Sequence, residues 1–138
     1  MSCSTCLRLL GAVLLIAATS RVQAMQPAPT EGVMQRVASD SAASFVAEWR
    51  RAMAQPGAEA IADLTAFPFQ FQGQAQARPA FSAQVVPALF TPKQRRCLQQ
   101  TRPVVEEGRL ILFCAPYGFV LGHTPVGWRL LEFFVDAP

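Results

Sequence analysis

The sequence predicts an α+β domain in which helices come first and antiparallel strands gather late. Three observations carry this. Between Asp40 and Gln55 apolar side chains recur at spacings of three and four. In Phe67-Pro68-Phe69-Gln70-Phe71-Gln72 the period drops to two. From Arg109 onward, apolar runs are separated by turn dipeptides. Helices followed by strands make an α+β order, whereas a parallel sheet would need alternating βαβ units.

The first helix is expected from Asp40, a favourable N-cap type. Its apolar face is Ala42, Phe45, Val46, Trp49, Ala52 and Met53, with Glu48, Arg50, Arg51 and Gln55 on the other side. Pro56-Gly57 ends it. A short second helix follows over Ala58 to Thr65, with Ile61 and Leu64 on one face. The phenylalanine alternation then reads as a half-buried strand with Pro68 at its start or on an edge, because proline cannot donate to a ladder. Gly73 and Gln74-Ala75-Gln76-Ala77 read as the chain leading out of it.

Pro79 fits the first turn of the next helix, whose Phe81, Val85 and Leu89 are four apart, and Pro87 must kink or interrupt it. Thr91-Pro92-Lys93-Gln94 has the form of a capping box, with threonine as N-cap and glutamine at N3, so a new helix should start at Pro92. Three strands close the chain: Arg109–Ala115 after a Glu107-Gly108 turn, Tyr117–Gly122, and Trp128–Val135 after the His123–Gly127 turn. Strict alternation in the last strand puts Trp128, Leu130, Glu132 and Phe134 on one face and Arg129, Leu131, Phe133 and Val135 on the other. Both faces are largely apolar. Helices are expected over one, and a partner subunit, a ligand or the sheet's own curved interior over the other.

The N-terminus reads as an export signal. Arg8 precedes an apolar run from Leu9 to Ala18, and Val22 and Ala24 place small or slender residues where signal peptidase needs them. Cleavage is expected between Ala24 and Met25. The run is half the length of about twenty residues that a membrane-spanning helix takes, so no stable membrane anchor is expected. Cys3 and Cys6 both precede the apolar run, which argues against lipidation. The expected organisation is a leader over 1–24, a flexible lead-in over 25–37 and a single domain over 38–138. The address is exported, periplasmic rather than extracellular.

Composition narrows the function classes. With 51% hydrophobic residues the bulk of the chain has enough apolar surface for one core. The net charge of +3 falls close to neutral once Arg8 and Arg21 leave with the leader. Lys93, Arg95 and Arg96 form the only local basic cluster, so nucleic acid is not an expected partner. Cys97 and Cys114 remain as a pair, and an oxidising compartment favours a disulfide between them over two separate buried thiols. One histidine and two bridged cysteines leave no metal-ligand set and no implied cofactor.

Candidate chemistry is thin. His123 belongs in a turn, where an exposed polar residue is ordinary. Glu132 on an apolar face could have a raised pKa and act as general acid or base. The preferred alternative for it is an edge position or a salt bridge to an arginine such as Arg109. Tyr117, the sole tyrosine, either reaches a cone interior or packs with a solvated tip. Asp63 is expected on the solvent face of the short helix.

Taken together, the Phe45/Trp49 helix, Phe67-Pro68-Phe69, Ala88-Leu89-Phe90-Thr91-Pro92 and the closing Gly127-Trp128-Arg129-Leu130 resemble small secreted bacterial proteins of the NTF2-like (cystatin-like α+β cone) superfamily. That resemblance implies a bent sheet wrapped around a helix. It does not imply an activity, since the superfamily includes isomerases, dehydratases, transport factors and domains without known activity. The expectation is a non-catalytic domain that binds a protein partner or a small apolar ligand, with a homodimer also open. A small isomerase or dehydratase using Glu132 and Tyr117, or a secreted inhibitor or immunity-type protein, is the alternative.

Overall fold

The computed structural model describes residues 30–136, so the expected leader and the expected Ala24/Met25 cleavage site lie outside the described residues. The long helix α1 spans Thr30–Ala54 and begins ten residues before Asp40. No proline follows Thr30 until Pro56, so nothing in the sequence removes a backbone donor from this stretch. Asp40 is therefore an exposed interior residue and not the N-cap, and residues 30–37 of the expected lead-in are helical. Ser39 and Ser41 are tolerated in this interior because each hydroxyl donates back to a carbonyl three residues earlier, at 2.9 Å.

Helix α2 (Glu59–Asp63) follows, with Ile61 and Leu64 buried as expected. Next comes a hairpin of β1 (Phe69–Phe71) and β2 (Gln74–Gln76). Residues 74–76 are thus a strand and not an exit. Gln72 and Gly73 form the turn with φ of 52° and 76°, the paired left-handed geometry that two-residue hairpins require. Glu107 and Gly108 repeat it at φ of 48° and 76°.

Pro87 interrupts the α-helical ladder without breaking the helix. Helix α3 (Arg78–Ala80) runs into a π-helical stretch, Phe81–Val85, and then into α4 (Val86–Leu89). In that stretch Val86 N–H donates to the carbonyl of Phe81, five residues back, which shifts the bonding register just before the proline lacking a donor. Phe81, Val85 and Leu89 stay buried through the shift. Helix α5 (Pro92–Gln100) starts where expected, with Gln94 N–H donating to Thr91 Oγ1 at 3.3 Å. Only half of the capping box forms. The Gln94 side chain is buried and donates to the Ala115 carbonyl at 2.9 Å, tying α5 to the sheet.

The main sheet is an antiparallel meander of β3 (Val104–Glu106), β4 (Arg109–Cys114), β5 (Tyr117–Thr124) and β6 (Gly127–Val135). It has one strand more than expected, the exposed edge strand β3. At the opposite edge the chain from Leu64 to Ala66 pairs with Leu130: Leu130 N–H donates to Leu64 O at 2.7 Å and Ala66 N–H to Leu130 O at 2.9 Å. Helices cover one face, where Leu110, Leu112, Phe119, Leu121 and Leu130 meet Phe45, Trp49, Phe81, Phe90 and Leu98. Aromatic rings run through this layer from Trp49 to Phe90 (6.0 Å), Phe119 (5.3 Å) and Tyr117 (6.2 Å).

Candidate functional site

A bulge in β6 decides where the candidate acid goes. Leu121 pairs with Leu130 but Val120 pairs with Glu132, so Leu131 is an extra residue in the strand. Simple alternation fails at that point. Trp128 and Leu130 face the helices before the bulge, and after it Phe133 does, stacked on Phe69 at 6.1 Å. Glu132 therefore lies on the opposite face from Trp128 and Leu130, correcting the placement that alternation predicts. Its carboxylate is more than half exposed and 3.6 Å from Arg109 Nη1.

Tyr117 lies across from Val135 on the helix-facing side, with its ring edge-on to Phe119 and to Phe133 at 5.8 Å. Glu132 and Tyr117 point from opposite faces of one sheet and cannot share a substrate. Replacing Glu132 with Gln is expected to change stability by less than about 1 kcal/mol, as for other exposed ion pairs, and urea denaturation measures it. A larger loss would mean that the carboxylate is held by more than Arg109.

The remaining singled-out residues have structural settings. His123 is exposed and lies within β5, not in the turn, edge-on to Trp128 at 6.0 Å. Asp63 is exposed as expected, and with Glu59 it holds Arg78 at 2.6 and 2.8 Å. Hydrogen bonds to these two carboxylates raise the Arg78 pKa above its ordinary value. Arg95 is withdrawn from the basic cluster. Its guanidinium donates to the carbonyls of Phe90 (3.0 Å), Gln55 (2.7 Å) and Gly57 (2.6 Å), and burial lowers its pKa. Cys97 on α5 and Cys114 at the end of β4 have Cα atoms 5.9 Å apart and sulfurs at bonding distance, compatible with a disulfide. No group of three His, Cys, Asp or Glu among the described residues could hold a metal, and no described helix is long and apolar enough to cross a membrane.

The sheet's outer face is apolar but flattened. Phe134 lies over Gly118 and Leu131 over Gly122, positions where a Cβ would overlap those side chains. Ile111 and Val120 are buried between them, and Phe113 meets Phe134 edge-on at 5.9 Å. The Arg109–Glu132 pair crosses this face.

The concave feature lies on the other side, between α1 and the β3–β4 end of the sheet. It is an open cleft of about 600 Å³, within the range of about 300–1,000 Å³ usual for small-molecule sites. Helix α1 contributes Ala38, Ala42 and Val46, which stand four apart in one row. The sheet contributes Val105, Leu110 and Trp128. The indole of Trp128 stacks on Phe45 at 6.5 Å, and its Nε1 donates to Ser41 Oγ at 3.2 Å, which fixes it as a wall. Small side chains on the helix row are what leave the space open. A second hollow, of about 270 Å³ between α1 and α2, is smaller and is lined by Glu48, Arg51, Gln55 and Asp63 beside Ala52, Ala60 and Leu64.

The row of four continues to Arg50, which also lines the cleft. Helical spacing alone places Arg50 among the polar residues of α1, and the structure moves it to the cleft side. The signal was available in the sequence: residues 38, 42, 46 and 50 form one i, i+4 row of two alanines, a valine and an arginine, wider than the core needs. Comparison with protein-family models, with curated proteins and with solved structures finds no match.

Proposed function

We propose that this chain is an exported, non-catalytic binding domain that holds a small apolar ligand in the cleft between α1 and the sheet. The observation that carries the reading is the cleft's lining. Ala38, Ala42, Val46, Val105, Leu110 and Trp128 present apolar surface to an open space large enough for a ligand. Leaving that surface to water costs free energy, roughly 25 cal/mol for each Å² exposed, and a ligand that covers it recovers this. The arrangement also supports an NTF2-like cone: a long N-terminal helix lies against one face of an antiparallel sheet whose last strand is bulged. The leader-like N-terminus and the paired cysteines support export.

The neutral fluorophore N-phenyl-1-naphthylamine tests the reading, using protein recovered from expression of the full chain. Its fluorescence is expected to rise on saturable binding. Ala38→Trp, which puts an indole into the cleft from an exposed helix position, is expected to weaken binding at least about tenfold while leaving the circular dichroism spectrum unchanged. No saturable binding by the wild-type protein would overturn the assignment of the cleft. Binding that survives Ala38→Trp unchanged would place the apolar site elsewhere.

A further inference from the structure

We infer that the ligand of this cleft is an amphipathic monocarboxylate, an alkyl-chain acid whose head is held by Arg50. The inference rests on the cleft being the binding site and adds the chemistry of what enters it. Arg50 is the only charged residue among the described residues that line the cleft, and it stands at one end of the helix row. From Ala38 to Arg50 that row runs about 18 Å along the helix at ~1.5 Å per residue, so the shape is elongated, with its charge at one end.

Arg50 is half-buried and has no carboxylate within ion-pair distance among the described residues. One Nη2 hydrogen bond, to the Thr101 carbonyl at 3.2 Å, is its only side-chain contact to an acceptor there. Its Nε is fully buried and has no acceptor. Two other half-buried arginines are spent. Arg95 donates to three carbonyls, and Arg78 holds two carboxylates.

A partly buried guanidinium with unused donors is costly to leave unpaired, and a planar carboxylate matches its fork with two parallel hydrogen bonds. The single cation also sets the charge of the head group. A monoanion is balanced by Arg50, whereas a dianionic phosphate would carry surplus charge into an apolar cleft that offers no second cation. The tail then lies along Val46, Ala42 and Ala38, against Leu110 and Trp128.

The test is displacement of bound N-phenyl-1-naphthylamine by dodecanoate and, separately, by 1-dodecanol, which has the same chain without the charge. At neutral pH and low salt the wild-type protein is expected to bind dodecanoate about tenfold more tightly than the alcohol, the size expected of one charge-assisted pair. Arg50→Gln is expected to bring the two ligands to within about twofold of each other, each compared by displacement of the fluorophore bound to that same variant. Arg50→Lys, which keeps the charge but not the fork, should keep only part of the preference. Arg51→Gln, one residue along and facing the other hollow, should keep all of it. Equal binding of acid and alcohol by the wild-type protein, with the fluorophore still bound, would overturn the role of Arg50 and leave the cleft standing. So would a preference that survives Arg50→Gln. Failure of the fluorophore to bind would remove the cleft as a site, and this inference with it. Tighter binding of dodecyl phosphate than of dodecanoate would overturn the monoanion assignment.

Discussion

Replacing Trp49 with alanine is expected to cost about 4 kcal/mol, within the usual range for deleting a large aromatic side chain from a core. A domain of this size has a total stability of about 5–15 kcal/mol, so such a loss leaves it close to unfolding. Trp49 is fully buried and joins the two halves of the hydrophobic layer. It meets Phe45 on its own helix at 6.4 Å and Phe90, beyond α4, at 6.0 Å. Neither neighbour can refill the space, because Phe45 is engaged with Trp128 and Phe90 with Phe81 and Phe119. The cavity therefore stays largely open.

Trp49→Phe discriminates packing from polarity at the same position. The indole Nε1 is buried without an acceptor among the described residues, so the wild-type core already carries the cost of an unpaired donor. Phenylalanine removes that donor together with part of the ring. Its net cost is expected to be at most about 1.5 kcal/mol, well under that of alanine. Urea denaturation followed by far-ultraviolet circular dichroism measures both variants without relying on tryptophan emission. A loss below about 1.5 kcal/mol for the alanine variant would mean that the surroundings collapse into the space, contrary to the engagement of both phenylalanines.

How far the sequence reveals this fold depends on contrast. In α1 the buried residues Phe45, Val46, Trp49, Ala52 and Met53 alternate with charged ones, so the helical period is plain. Upstream of Asp40 that contrast is missing, because the turns over residues 32–36 are exposed all round, and a capping residue type reads as a start. The β1–β2 hairpin is hidden for the opposite reason: alternation continues with the same period on both sides of Gln72-Gly73. Strand β3 is three residues long with every side chain exposed, so it has no face to signal.

The bulge at Leu131 was the costliest gap, since it reverses the face of every residue after it. Leu130, Leu131, Phe133 and Phe134 are all large and apolar, and either face of a regular strand would satisfy them. What selects the bulge is tertiary: Phe133 has Phe69, Phe71 and Tyr117 to pack on, and Phe134 has the bare backbone of Gly118. The cleft was hidden in the same way. The 38, 42, 46, 50 row is visible in the sequence, but two alanines and a valine also read as a continuation of the core stripe, and the position of the β3–β4 end decides that nothing fills the space in front of them.

The second large effect is expected from the Cys97–Cys114 pair. The cysteines are 17 residues apart, and a bond between them removes the freedom of that loop from the unfolded chain, worth about 3 kcal/mol in the chain-entropy description. The bond joins two elements that otherwise meet through packing and two side-chain hydrogen bonds, Gln94 to the Ala115 carbonyl and Thr101 Oγ1 to the Phe113 carbonyl at 3.2 Å, so little else replaces it. Cys114 is buried in the core, which makes serine a poor probe there, because a hydroxyl would be stranded among apolar groups. The double variant Cys97→Ala and Cys114→Ala avoids this. Without reductant, protein from the oxidising compartment is expected to be about 3 kcal/mol more stable than the double variant in urea denaturation. Dithiothreitol should lower the stability of the wild-type protein by a similar amount and leave the double variant unchanged. If the wild-type protein is indifferent to reductant, the two sulfurs are thiols in the folded protein. The proposal of an oxidising address would then rest on the leader-like pattern of the N-terminal sequence alone.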